Sequence, residues 1–132
     1  MVLVSVLLLL SLASCGDKNA EKVWESAAYT EDTTLGEGET VLTLEVEALD
    51  KTVVFTVKTN EETVGEALLK SGLIEGEQGQ YGLYIKKVNG MLADYDVNQR
   101  YWAFYINDEY AITGVDATEI KESDTYSLVY EK

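Results

Sequence analysis

The side chains of this chain that could do chemistry are mostly carboxylates and tyrosines. There is no histidine, and the single cysteine is Cys15. Without histidine the chain lacks the usual general base and the commonest transition-metal ligand, and one cysteine cannot form an internal disulfide or a thiolate zinc cage. Carboxylates are abundant, but none is paired with a nucleophile at a spacing typical of acid–base catalysis. We therefore expect a protein that is not an enzyme.

One acidic run has a spacing that resembles the start of a calcium-binding loop. Asp94, Asp96 and Asn98 form the pattern D-x-D-x-N. A calcium loop of this type has glycine at its sixth position and glutamate at its twelfth, where this chain has Gln99 and Tyr105. Solvated loop acids are the favoured interpretation, and we expect no metal site.

Strand alternation separates the aromatic rings of YWAFYI (101–106) into two sets. Trp102 and Phe104 share one face, which we expect to be buried because large aromatic side chains dominate small cores. Tyr101 and Tyr105 share the other face, and their hydroxyls suit a surface that is partly wet. The stretch therefore predicts one core face and one candidate binding face.

A tyrosine surface is the candidate binding site, and the chain has nine tyrosines against two phenylalanines. Tyrosine offers flat apolar area with a polar tip at low entropic cost, which is why antibody paratopes are rich in it. The predicted ligand-binding residues are Tyr84, Tyr95, Tyr101, Tyr105 and Tyr110. The alternative is structural, because cross-strand aromatic pairs also stabilise a half-exposed sheet.

The net charge excludes some classes of partner. Twenty-four acidic residues against ten basic residues give a net charge of -14 at pH 7. A charge of this sign repels phosphate backbones and anionic lipid headgroups. We therefore expect no nucleic-acid partner and no electrostatic attachment of the chain to a membrane.

The N-terminus is typical of an exported lipoprotein. Its apolar run of about 12 residues is too short for a spanning helix, which needs roughly 20, and matches a signal-peptide core. The run ends in LASC (12–15), which resembles the bacterial lipobox, where the cysteine is lipidated and becomes the first residue after cleavage. We predict a signal peptide over residues 1–14 and a lipidated Cys15 that anchors the protein to the outer face of the bacterial cell membrane.

Residues 15–39 are acidic and lack apolar periodicity. Such a segment buries too little surface to offset its ordering entropy, so we expect a flexible tether between Cys15 and the folded domain. Trp24 and Tyr29 are its only aromatic residues. Docking of these two rings on the domain or on a partner is the alternative interpretation.

From residue 40 onward the pattern is that of one folded domain. TVLTLEVEA (40–48) and TVVFTVK (52–58) alternate as two strands of a hairpin. TVGEALLKSG (63–72) then has a helical period and a capping-box signature. Further strands follow, including TYSLVYE (125–131) near the end of the chain. The order predicts an α+β domain over residues 40–132, in which one short helix packs on a mixed sheet.

Four segments resemble the bacterial domain family of unknown function DUF4430, which is similar to the C-terminal domain of transcobalamin and intrinsic factor. They are YGLYIKKVNG, YWAFYIND, GVD and ESDTYSLVYE, and the resemblance covers roughly residues 40–132. It implies a β-grasp-like fold with a ββαβ start. It also implies ligand binding, because some relatives bind soluble ligands, cobalamin being the known case.

The family motif falls on particular residues of this chain. The matching positions are Gly82, Asn89-Gly90, Trp102, Gly114-Val115 and Asp124. Asp108 and Ser123 stand where the family usually has glycine. Both departures fall in turns, so they leave the implied fold in place.

These inferences combine into one functional prediction. We expect a cell-surface lipoprotein that carries a small, non-catalytic ligand-binding module, with cobalamin or a similar flat molecule as the candidate ligand and no covalent cofactor. The alternative is a module that docks a surface protein or a cell-wall polymer and has no small-molecule pocket. A concave pocket would favour the first, and a flat surface would favour the second.

Overall fold

The computed structural model of the chain describes residues 18–132. Its elements are α1 (Lys18–Glu25), β1 (Thr33–Gly36), β2 (Thr40–Ala48), β3 (Lys51–Thr59), α2 (Val64–Lys70), β4 (Ile74–Gly79), β5 (Gly82–Val88), β6 (Met91–Leu92), α3 (Tyr95–Asn98), β7 (Tyr101–Ile106), β8 (Glu109–Tyr110), the 3-10 helix η1 (Val115–Ala117) and β9 (Thr125–Glu131). None of the described helices is long and apolar enough to cross a bilayer. The predicted α+β class is confirmed.

The strands form two sheets instead of the single mixed sheet that the sequence predicts. The larger sheet has six strands in the order β1-β3-β2-β9-β7-β8, and the smaller has three in the order β4-β5-β6. In the larger sheet β2 pairs antiparallel with β3 and parallel with β9, which in turn pairs antiparallel with β7. The predicted ββαβ order is therefore present, with the last strand beside the first strand of the hairpin.

Alternation decides which face of the larger sheet is buried. On β2 the side chains of Leu42, Leu44 and Val46 are fully buried. Trp102 and Phe104 on β7 are buried in the same core, as predicted. Removing this much apolar surface from water is the main stabilising contribution to the fold.

Helix α2 begins and ends as its sequence predicts. The hydroxyl of Thr63 accepts a hydrogen bond from the backbone N–H of Glu66 at 3.2 Å. At the other end Gly72 has a φ of 79°, and the Leu73 N–H donates to the carbonyl of Leu68 at 3.1 Å. These contacts satisfy polar groups that a helix of seven residues leaves unpaired at its ends.

Three hairpins turn through two residues with positive φ, the type I′ geometry that suits the twist of paired strands. These turns are Leu49-Asp50, Asn89-Gly90 and Asn107-Asp108. The first joins β2 to β3, the second joins β5 to β6 and the third joins β7 to β8.

Two glycines of the family motif, Gly82 and Gly114, lie against one carboxylate. Gly82 has a φ of 108°, and a Cβ there would lie 3.0 Å from the oxygens of Asp116. A Cβ on Gly114 would also lie 3.0 Å from that carboxylate. Asp116 accepts a hydrogen bond from the N–H of Leu83 at 3.2 Å and so joins η1 to β5. These motif positions therefore have a structural role.

The structure differs from the flexible tether expected over residues 15–39. Strand β1 pairs in parallel with β3, and the Trp24 indole N–H donates to the carbonyl of Ala48 at 2.9 Å. Tyr29 exchanges two hydrogen bonds with the side chain of Asn89, at 2.9 and 2.7 Å. The open backbone edge of β3 explains the difference, because pairing with it supplies hydrogen bonds that composition does not reveal.

The folded unit therefore includes residues before position 40, and Trp24 and Tyr29 dock on it as the alternative interpretation has it. The predicted signal peptide and Cys15 lie outside the described residues.

The smaller sheet packs on the core face of the larger one. Ile85 and Val88 on β5 are buried, and the Trp102 indole N–H donates to the carbonyl of Met91 on β6 at 3.2 Å. Strand β5 belongs to the smaller sheet and strand β7 to the larger one, although side chains of both lie in the same core. Alternation predicted the buried face of β7 correctly, but it could not assign the strands to sheets.

Candidate functional site

The candidate site is on the open face of the larger sheet, opposite the core. Side chains that alternate with the buried ones on β2, β7 and β9, together with one from β8, meet there. This surface is termed the tyrosine–glutamate face, and its residues are Glu45, Glu47, Tyr101, Tyr105, Tyr110 and Glu131.

Two tyrosine hydroxyls converge on Glu131. The Tyr101 hydroxyl donates to Oε2 of Glu131 at 3.0 Å, and the Tyr105 hydroxyl donates to Oε1 at 2.7 Å. Each carboxylate oxygen therefore receives one hydrogen bond, and both rings are held by a charged acceptor. Charge-assisted bonds of this kind are shorter and stronger than neutral ones.

The same contacts set the protonation of the two tyrosines. The hydrogen bond to the Glu131 carboxylate, with a smaller contribution from burial, raises the pKa of Tyr105 to about 12. The hydrogen bond from Tyr101 to the same carboxylate raises the pKa of Tyr101 above its ordinary value. Both hydroxyls are therefore neutral donors at physiological pH.

Tyr110 completes the aromatic part of the face. It lies opposite Tyr105 across the β7–β8 hairpin, and the two ring centroids are 5.5 Å apart with an interplanar angle of 86°. Such an edge-to-face pair is favourable beyond its buried area. The side chain of Tyr110 is 61% exposed, so one of its ring faces remains available to a ligand.

A shallow hollow of about 260 Å³ lies beside the ring of Tyr105. Its acidic lining residues are Glu45, Glu47, Asp108 and Glu131, and Tyr105 forms part of its edge. The arrangement combines flat apolar area with hydrogen-bond acceptors. It suits a ligand that presents a planar surface together with donor or cationic groups.

Sequence reasoning missed the glutamates, although a signal for them was present. Glu45 and Glu47 alternate with the buried Leu44 and Val46, which places them on the outer face of β2. Glu131 lies opposite Tyr101 in the β7–β9 register. Reading the outer face of every strand would have found the acids beside the tyrosines.

Two of the five predicted tyrosines lie away from this face. Tyr84 is on β5 in the smaller sheet, which covers the other side of β7, and the Lys86 ammonium lies 5.9 Å from its ring centroid. Tyr95 is the first residue of α3 and is exposed. The structure therefore gathers Tyr101, Tyr105 and Tyr110, and the predicted aromatic surface is smaller than the sequence indicated.

The calcium-like run has a structural use. The Asp94 carboxylate accepts a hydrogen bond from the Asp96 N–H at 3.1 Å and caps α3, while the Asn98 side chain accepts from the Asp94 N–H at 3.1 Å. The Lys86 ammonium also lies 3.4 Å from the Asp94 carboxylate. Across the described part of the chain, no group of three or more histidine, cysteine, aspartate or glutamate side chains is arranged to hold a metal ion.

The solved structures that are similar to this chain include the following two. A protein from Ruminococcus gnavus ATCC 29149, described provisionally as metal binding, is 32% identical with a TM-score of 0.65, and the match covers 71% of this chain and 98% of that one. Haptocorrin in complex with Cbi is 16% identical with a TM-score of 0.53, and the match covers 70% of this chain and 25% of that one. The second likeness is therefore one of fold.

Among the curated protein sequences there is no match. The family model described as a domain of unknown function, DUF4430, matches residues 61–132, which include α2, the smaller sheet and strands β7 to β9. The match covers more than half of the 132 residues. The chain therefore belongs to the DUF4430 family.

Proposed function

We propose that this chain is a non-catalytic ligand-binding module and that the tyrosine–glutamate face is its binding surface. The observation that carries the proposal is the convergence of the Tyr101 and Tyr105 hydroxyls on Glu131, at 3.0 and 2.7 Å. Aromatic rings fixed in this way lose little freedom when a ligand covers them, and pre-organisation of this kind favours binding. The rings of Trp102 and Phe104 on the other side of β7 are buried, so a ligand cannot contact them in the same way.

The ligand that best fits this face is a flat molecule laid across the rings. Tyr105 and Tyr110 offer a stacking area, and Glu45 and Glu47 offer acceptors for donor groups at its edge. A corrinoid is the first candidate, because the fold is shared with haptocorrin, whose structure contains Cbi. The hollow of about 260 Å³ is smaller than pockets that enclose drug-sized ligands, so the ligand would lie on the face.

Metal binding is described for the Ruminococcus gnavus relative, and it fits the residues of this chain poorly. The carboxylate of Glu131 is already shared by two tyrosine hydroxyls, which a metal ion would have to displace. Within residues 18–132 no preformed cluster of metal-binding side chains is found. We therefore assign no metal to the face.

Docking of a surface protein or a cell-wall polymer is the second candidate function. The shallow hollow favours it, as does Ile112, which is 100% exposed two residues beyond Tyr110. A polymer or protein could cover both the rings and this apolar side chain. The same tyrosines would then contribute to a broader interface.

The setting that we propose is the outer face of a bacterial cell membrane, with the chain held there by a lipidated Cys15. This part of the proposal rests on the LASC sequence at residues 12–15. Mass spectrometry of the protein recovered from bacterial membranes would test it. A mass matching cleavage before Cys15 plus acyl chains is expected, and a soluble, unmodified chain would contradict it.

A thermal-shift screen of the full chain in neutral detergent tests the binding proposal. The compounds are Cbi and other corrinoids, haems, cell-wall fragments and divalent cations. A ligand that binds only the folded state adds about 2.7 kcal/mol of stability at a hundredfold excess over Kd, which is readily measured. We expect a saturable shift with a flat ligand.

Matched tyrosine variants give the screen its specificity. Tyr105→Ala should abolish the shift, whereas Tyr81→Ala should preserve it, because Tyr81 is a 95% exposed tyrosine in the β4–β5 turn. A shift with cell-wall fragments alone would favour the docking function. Equal loss in both variants, or no shift with any compound, would contradict binding at this face.

A further inference from the structure

A second cavity, of about 380 Å³, lies at the N-terminal end of the domain. It is open to solvent and is lined by residues of α1, the β2–β3 turn, β6 and the end of α3, together with Tyr130 on β9. This volume is within the range of ordinary ligand sites. None of the residues of the tyrosine–glutamate face lines it, so the two sites are separate.

The lining of this cavity has the opposite charge to the chain as a whole. Of the eight described residues that line it, Lys22 and Arg100 are cationic and none is acidic. The chain as a whole has 24 acidic and 10 basic residues, so the described lining differs from the chain in the sign of its charge. Among the described residues no carboxylate lies within 4.0 Å of either cation, since the ion pairs there involve other lysines.

Arg100, the chain's one arginine, is held in place by an aromatic ring. Its guanidinium lies 5.2 Å from the ring centroid of Tyr130, a cation–π contact that fixes the planar group while its N–H donors remain available. A guanidinium held in this way can donate two parallel hydrogen bonds to a phosphate or carboxylate. Lys22 on α1 supplies a second positive charge to the lining.

The wall that carries Lys22 is itself anchored. The Trp24 indole donates to the Ala48 carbonyl, and the Lys51 ammonium lies 4.7 Å from the Trp24 ring centroid. The N–H of Ala28 donates to the Asn89 carbonyl at 2.9 Å. Segment 22–29 is therefore attached to two different turns of the domain, which keeps the cavity closed on that side.

We propose that this basic cavity is a binding site for an oxyanion group such as a phosphate, held by Arg100 and Lys22. The negative net charge of the chain opposes the approach of anions from a distance, but salt screens that repulsion beyond about 8 Å at physiological ionic strength. The two cations act within hydrogen-bond range, where screening is weak. Binding should therefore be short-range and saturable.

The phosphate could come from a soluble molecule or from a lipid headgroup. Lys22 is seven residues after Cys15, a span of at most about 25 Å for an extended chain. If Cys15 carries the lipid anchor that we propose, the basic cavity lies within reach of the bilayer surface. The oxyanion site itself does not depend on that anchor or on the ligand of the tyrosine–glutamate face.

Calorimetric titration of inorganic phosphate tests the site. The full chain is placed in nanodiscs of neutral phosphatidylcholine, at about 0.15 M salt so that distant charges are screened. We expect saturable binding that Arg100→Gln weakens by at least about tenfold, because the variant loses the charge-assisted hydrogen bonds. Arg100→Lys should bind with intermediate affinity, since it keeps the charge but loses the planar fork.

Lys121→Gln is the matched control, because it removes one positive charge from an exposed residue that does not line the cavity. It should bind phosphate as the unmodified chain does. Equal weakening in Arg100→Gln and Lys121→Gln would reduce the effect to net charge and overturn the proposal. Absence of saturable binding in neutral nanodiscs would also overturn it.

A second set of nanodiscs identifies the source of the phosphate. Anionic phosphatidylglycerol should compete with free phosphate if a headgroup enters the cavity, and the apparent phosphate affinity would then fall. Unchanged affinity would assign the cavity to soluble phosphates. The Tyr105→Ala variant should bind phosphate normally in both cases, so failure of the ligand proposal would be distinguishable from failure of this one.

Discussion

The two faces of β7 carry similar residues in opposite surroundings. On the core side Trp102 packs against Tyr130, with ring centroids 5.4 Å apart. Its indole N–H donates a hydrogen bond to the carbonyl of Met91 on β6. On the open side Tyr101 and Tyr105 point their hydroxyls at one carboxylate. One face uses its rings to exclude water, and the other holds them at the surface of the protein.

The difference shows that aromatic content alone does not identify a binding site. What separates the two faces is the partner of each polar atom. In the core, the Trp102 indole N–H and the Tyr126 hydroxyl are paired with backbone groups, and the Tyr126 hydroxyl accepts from the Lys121 N–H at 2.9 Å. On the open face, the hydroxyls of Tyr101 and Tyr105 are paired with the side chain of Glu131, which can release them when a ligand binds. The following predictions test this distinction.

The largest expected effect is on the core side. Trp102→Ala should lower the free energy of unfolding by about 3–5 kcal/mol, because it leaves a cavity and removes the hydrogen bond to Met91. Tyr101→Ala on the open side should cost about 1 kcal/mol or less. Urea denaturation of both variants measures the contrast. Similar losses would mean that the open face is also part of the core.

Removing a single hydroxyl from each side gives a smaller contrast. Tyr126→Phe should lower the free energy of unfolding by about 1–3 kcal/mol, because the Lys121 N–H loses its acceptor beside a fully buried ring. Tyr101→Phe should cost less, since water can replace its hydroxyl at Glu131. Equal costs in chemical denaturation would contradict the assignment of one hydroxyl to structure and the other to the surface.

The pKa shifts predict a loss of stability at high pH. The pKa of Tyr105 in the folded state is about 12, above its ordinary value of 10.0. The neutral form is therefore favoured by folding, so this contribution is fully present below about pH 10 and is lost as pH rises to about 12. Burial raises the pKa of Tyr126 and Tyr130 in the same direction.

Tyr105→Phe isolates the contribution of Tyr105 to this pH dependence, while the contribution of Tyr101 on the same face remains. The variant should show a shallower fall in the free energy of unfolding between about pH 10 and about pH 12, while the part due to Tyr126 and Tyr130 remains. Denaturant titrations across that range, with ultraviolet absorbance to follow tyrosinate, provide the measurement. An unchanged slope would show that the hydrogen bond to Glu131 is weak in solution.

The smallest effect concerns the turn at the edge of the hollow. Asp108 has a φ of 66°, a conformation that glycine adopts without strain. Asp108→Gly should raise the free energy of unfolding by roughly 0.5 kcal/mol, a gain visible as a small rise in Tm. If ligand binding at the tyrosine–glutamate face survives, Asp108 serves the turn; if binding falls, its carboxylate belongs to the site.

Most of the domain could be predicted from local sequence patterns. The alternation of Leu42, Leu44 and Val46, the cap at Thr63 and the turn at Asn89-Gly90 are each encoded within a few residues, and each is present in the structure. Local chemistry of this kind does not depend on distant parts of the chain. It was sufficient for the fold class and for the buried face of β7.

What could not be predicted depends on contacts far apart in the chain. Strand β1 is stable because it meets the edge of β3, and nothing in TTLG itself indicates a strand partner. Tyr84 on β5 lies in a different sheet from Tyr105 on β7, which the sequence of either strand does not reveal. Arg100 and Lys22 are 78 positions apart in the sequence, and they line the same cavity only because of the fold. A site formed by two such distant residues cannot be found from the spacing of residues within a sequence motif.

The pairing of β1 with β3 also affects how readily two copies of the protein associate through the edges of their sheets. Strand β3 has nine residues, and β1 covers its outer edge with a strand of four, while the opposite end of the sheet closes with the two residues of β8. Long uncovered edges recruit strands from neighbouring molecules and lead to aggregation. Strand β1 pairs with residues 55–58 of β3, so that part of the edge of β3 is not available for pairing with a neighbouring molecule.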